Sequence, residues 1–109
     1  MASTEPDRIL LAQITGAASR YARQPRLSGL AREAAVAELA AVASGRRDLL
    51  AEHAGIIVGA HEGDLDEERY LRTAQLCIDA GADVTQIPRW IAEGRRRARD
   101  TQARRSSGR

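Results

Sequence analysis

Three aromatic side chains, Tyr21, Tyr70 and Trp90, are all the rings that this 109-residue chain offers its core, and phenylalanine is absent. The interior must therefore be assembled from Leu, Ile, Val and much Ala. Small side chains bury useful area only when the elements carrying them approach closely, which favours packed helices over stacked sheets. The length allows one domain with a modest core rather than two.

Helical spacing recurs along the chain. Ser3 or Thr4 can cap a first helix, with Glu5, Pro6 and Asp7 suited to its opening turn. Leu10, Ile14, Ala17, Ala18 and Tyr21 make its apolar stripe, and Gln24-Pro25 ends it. A second helix starts near Ser28-Gly29, buries Ala35, Val36, Leu39, Val42 and Ala43, and stops at Gly45.

The stretch from Arg46 to Glu62 is ambiguous: Leu49, Leu50, His53, Ile56, Ile57 and Ala60 fit a helix, while Ile56, Ile57 and Val58 also suit a strand. No second strand is evident to pair with it, so the segment reads as helix. Gly55 and Gly59 then share one face, where another helix can pack tightly. Asp64 with Glu67 reads as a capping pair for a fourth helix, whose inner stripe is Tyr70, Leu71, Ala74, Cys77 and Ile78 and which ends at Gly81. Asp83 with Gln86 is a second such pair, opening a fifth helix with Val84, Ile87, Trp90 and Ile91 inward. The expectation is an all-α compact bundle of about five helices. It comprises one helical domain over residues 1–99 and a disordered basic tail over 100–109, where apolar residues run out.

Charge is distributed unevenly. Residues 61–85 carry seven acids against two arginines, a net of −5, whereas residues 86–109 carry eight arginines against two acids, a net of +6. Such asymmetry speaks of partners rather than of fold. Every one of the 17 basic residues is arginine, and Lys and Asn are absent, a bias that a GC-rich genome produces by itself.

Two short helices joined by a glycine-containing turn, with basic residues beside the second, match the layout of a helix-turn-helix DNA reader. In that layout Cys77 takes the small position facing the second helix, Gly81 the turn, and Ile87 and Trp90 the docking positions. The run from Thr85 to Arg95 resembles the second-helix segment of small excisionase-type winged DNA-binding proteins, and residues 66–95 as a whole weakly resemble their helix-turn-helix. That resemblance implies that Thr85, Gln86 and Arg89 reach base edges, and that Arg95, Arg96, Arg97 and Arg99 contact phosphate. Pro88 departs from the pattern: one turn into the helix it removes a hydrogen bond or resets the helix start to its own position. Asp83 and Glu93 also place negative charge where phosphate would lie. The alternative reading of the same residues is a short αα-corner closing a bundle. More broadly, Asp48-Leu-Leu-Ala-Glu52, Leu76-Cys77, Ala80-Gly-Ala-Asp83, Ile87-Pro-Arg-Trp-Ile91 and Glu93-Gly-Arg-Arg-Arg97 resemble uncharacterised short helical proteins of high-GC actinobacteria. That likeness implies a compact bundle and no particular activity.

Other chemistries find little purchase. His53 and His61 lie about two helical turns apart, too far for one ion on a continuous helix. Asp64, Asp66 and Glu68 begin like a calcium loop, but Arg69 stands where the turn glycine belongs and Gln75 replaces the closing Glu. Phosphate loops, nucleophile elbows and zinc-protease motifs are absent from the sequence, so neither catalysis, cofactor nor metal is expected. Cys77 is the sole cysteine and reads as a small buried hydrophobe in a reducing compartment. Neither a secretory leader nor a membrane span is expected, which favours the cytoplasm.

Two function classes fit these residues. One is a small non-enzymatic DNA-binding or accessory transcriptional regulator using the helix-turn-helix-like pair and the arginine-rich C-terminus. The other is a helical protein-interaction adaptor, docking or self-associating through the glycine-spaced face of helix three or through the first helix.

Overall fold

The computed structural model describes residues 5–24 and 26–107. Five helices account for most of them: α1 (Glu5–Ala22), α2 (Gly29–Ala43), α3 (Arg47–Ala60), α4 (Glu67–Asp79) and α5 (Ile87–Ser107), with a single 3-10 turn, Val84–Gln86, before α5. The all-α bundle is thus the fold, and residues 54–60 are helix rather than strand.

α3 is the central helix and packs against each of the other four. Its buried residues Leu49, Leu50, Ala51 and Ala54 join Ile14, Ala17 and Ala18 of α1, Ala35, Leu39 and Ala43 of α2, and Ala74, Leu76 and Cys77 of α4 in one core. The buried set holds no aromatic residue, and more than half of its members are alanine, so the helices must sit close.

The tightest approach is between α3 and α5. A methyl group placed on Gly55 would lie 2.8 Å from the carbonyl oxygen of Ile87, and one on Gly59 would lie 2.9 Å from the amide nitrogen of Arg95. From the other side, a methyl on Gly94 would lie 2.9 Å from the amide nitrogen of Ala60. All three glycines are buried. As the contacts advance along α3 they also advance along α5, so the two helices run parallel, with α4 as the antiparallel return between them.

The connection before α5 enforces that arrangement. Gly81 adopts φ +115°, a conformation open to glycine at little cost. Its carbonyl accepts from Nε of Arg47 at 2.7 Å, while the Asp83 amide donates to the Arg47 carbonyl at 3.1 Å. The end of α4 is thereby pinned to the first turn of α3, and α5 sets out alongside it.

Several local expectations need correction. The Asp64–Glu67 capping pair does not form: α4 begins at Glu67 after Asp66, which makes no side-chain cap, and the Asp64 carboxylate instead bonds Nδ1 of His61 at 2.9 Å. The start of α2 at Gly29, after Ser28, is as expected, and left-handed Ser44 followed by Gly45 closes that helix. Residues 100–107 are not a disordered tail but the continuation of α5, and Gly94 is an interior residue of that helix. The proposed Ser3 or Thr4 cap lies outside the described residues, as does Pro25.

Candidate nucleic-acid interface

Asp83 organises the start of α5. Its Oδ1 accepts from the Thr85 amide at 3.1 Å and from the Thr85 hydroxyl at 2.6 Å, and its Oδ2 accepts from Nε2 of Gln86 at 3.0 Å. These bonds hold the Asp83 carboxyl below the usual carboxylate range. They also occupy donors of two of the three expected base-reading side chains. Asp83 is therefore a real cap, but the reciprocal half of the expected pair does not form, since Gln86 bonds the Asp83 carboxylate while the Asp83 amide donates to Arg47. The cap opens a 3-10 turn, and the α-helix proper begins at Ile87 with Pro88 in its first turn. Proline is tolerated there because the amide it lacks would have no intrahelical acceptor.

Arg89 is exposed, and its guanidinium carbon sits 4.8 Å from the centre of the Trp90 ring. Trp90 itself lies half-buried over Gly55, with an indole N–H that has no acceptor among the described residues. Ile87 and Trp90 thus dock α5 on α3, where the helix-turn-helix layout would have docked it on α4.

The four expected phosphate-contacting arginines divide into two groups. Arg95 forms a two-pronged pair with Glu62, Nε at 3.0 Å from Oε1 and Nη2 at 2.7 Å from Oε2. Arg96 reaches Glu93 and Asp100, and Arg97 reaches the same Glu93 at 2.7 Å. Glu93 is held down to about 2 by its bonds from Arg96 and then Arg97, and it stays ionised at neutral pH. Arg99 is exposed and makes no ion pair among the described residues. The same holds for Arg104 and Arg105, in the last turn of α5.

This pattern follows from helix length. Residue 95 is level with the end of α3, so the remaining dozen residues, about 18 Å of helix, project beyond it. Residues 101–106 are all exposed. Between this arm and the α3–α4 corner lies an open cleft of about 750 Å³, with His61 and Asp64 on one side and Arg97, Thr101, Gln102 and Arg105 on the other. His61 stacks on Tyr70 there, ring centres 3.6 Å apart and nearly parallel.

His53 and His61 do not converge. His53 is buried against α1, its Nδ1 3.3 Å from the Thr15 hydroxyl, and burial pushes its pKa down to about 4. The glycine-spaced face of α3, one of the two surfaces expected for partner docking, is covered by α5 of the same chain. The other, α1, leaves Ile9 about half exposed. No helix among the described residues is long and apolar enough to cross a membrane. No protein-family model, curated protein or solved structure matches the chain.

Proposed function

We propose that this protein is a small non-enzymatic DNA-binding accessory factor in which α5 is the nucleic-acid-binding helix. The observation that carries the reading is the projection of α5 beyond α3 with Arg99, Arg104 and Arg105 exposed and unneutralised. A helix about 10–12 Å across fits the major groove and brings guanidinium groups to phosphates on its rims. Arg89 extends the same function toward the helix start, on the surface left free by packing against α3.

Within this reading Arg89 is the better base reader, because Thr85 and Gln86 are engaged by Asp83. Arg99 makes phosphate contacts outright, whereas Arg95, Arg96 and Arg97 must exchange a carboxylate for a phosphate to do so. Affinity should accordingly be dominated by the arm and be strongly salt-dependent.

The test is fluorescence anisotropy of a labelled duplex across a salt series, with the full chain and an Arg99→Ala/Arg104→Ala/Arg105→Ala variant. Loss of three phosphate contacts should flatten the slope of log K against log salt by about 2–3. An unchanged slope would exclude the arm as the binding element, and an unbound duplex at low salt would exclude the function.

A further inference from the structure

Away from α5, the α1–α2 corner and α4 form a concavity of about 180 Å³. Its apolar part comes from Tyr21, Leu27 and Leu76, and three guanidinium-bearing residues, Arg26, Arg32 and Arg72, line it as well. Among the described residues no carboxylate side chain lines it. We propose that this concavity binds a small amphipathic monocarboxylate, its apolar body on Leu27 and Leu76 and its charged end among the arginines.

The charge pattern selects an anion. Arg32 is partnered by Asp79 from outside the pocket, and Arg72 is only loosely held by Glu68 at 3.9 Å. Arg26 is exposed and makes no ion pair among the described residues. Arg26 is thus the guanidinium without a carboxylate of its own and Arg72 the one most easily released, and a ligand carboxylate between these two would accept charge-assisted hydrogen bonds. The Tyr21 hydroxyl is already committed to Glu38, so the ring presents its apolar surface rather than a competing donor.

Size narrows the class further. The space is below the roughly 300–1,000 Å³ of sites for drug-sized molecules, and it suits one ring or a short alkyl chain with its carboxylate. Inorganic phosphate would satisfy the arginines while leaving Leu27 and Leu76 unused. A neutral isostere would do the reverse.

Isothermal titration of the full chain with phenylacetate, phenylacetamide and inorganic phosphate separates these cases. Phenylacetate should bind saturably with one site per chain, and phenylacetamide at least about tenfold more weakly, as expected for loss of charge-assisted bonds. An Arg26→Ala/Arg72→Ala variant, both positions being exposed, should keep its helical circular dichroism and bind phenylacetate at least about tenfold more weakly. If that variant unfolds, Arg26→Ala alone must show the weakening. Absence of saturable phenylacetate binding at millimolar concentration would overturn the proposal. So would equal binding of the amide, of phosphate, or by the folded arginine variants.

Discussion

Gly59 of α3 lies directly against the backbone of Ile91 in α5, with room for a hydrogen and none for a methyl group. This contact, repeated at Gly55 and answered by Gly94, lets two parallel helices approach through their backbones. Gly59→Ala should therefore force the helices apart and cost about 1–3 kcal/mol or more of stability, the usual range for overpacking. Gly16, in the interior of α1, has nothing within 4 Å of the place a methyl group would take. Gly16→Ala should instead stabilise the protein by about 0.5–1 kcal/mol. Urea denaturation of the two variants beside the parent checks both signs.

The buried His53 gives the fold a defined acid sensitivity. Its pKa is about 4 in the folded chain against about 6.5 unfolded, so between those values the unfolded chain binds the extra proton. Stability should fall as pH drops from about 6.5 toward 4, by roughly 3 kcal/mol in full at about 1.4 kcal/mol per pH unit. Burial raises the Glu52 carboxyl, which works in the opposite sense above the ordinary glutamate value, and Glu93 acts below it. Comparing urea midpoints of the parent and His53→Gln from pH 7 to 4.5 isolates the histidine. The variant should show a visibly flatter profile.

Cys77 of α4 is fully buried in the core, and burial pushes its thiol up to about 12. Thiolate is the reactive form, so the folded protein should resist a disulfide reagent at neutral pH. Reaction should proceed promptly once urea unfolds the chain. Rapid stoichiometric labelling of the native protein would contradict this packing.

Glu93 accepts from both Arg96 and Arg97, and Arg96 also reaches Asp100 one turn on. These i, i+3 and i, i+4 pairs support the arm where apolar contacts give out. Glu93→Gln should lower the helical signal modestly while raising duplex affinity at low salt, because Arg97 loses its carboxylate partner and Arg96 keeps only Asp100. Circular dichroism and anisotropy on the same sample read the two effects separately.

The arm also explains what was legible in the sequence. The stripes through Ile14, Leu39, Leu50 and Cys77 foretell the core because the 3.6-residue period reports burial directly. The spacing of Gly55 and Gly59 announces a close neighbour, but a small-residue face does not say which helix occupies it. Gly94, eleven residues beyond Asp83 on another helix, is the third member of that contact, which spacing along one helix does not reveal. The continuation of α5 escapes an apolar-periodicity reading because charge pairs at Glu93, Arg96, Arg97 and Asp100 accompany it. Their spacing was the available signal. Likewise Asp83 is readable as a cap, whereas its capture of both Thr85 and Gln86 depends on side-chain geometry.

The most direct test of α5 as the binding element is a two-dimensional amide NMR titration of the full chain with a short duplex. Shifts should concentrate at residues 89 and 96–107 and diminish with added salt, with little change at Thr85, Gln86 or α2. Shifts centred on α1, α2 or α4, with the α5 resonances unmoved, would contradict α5 as the binding helix.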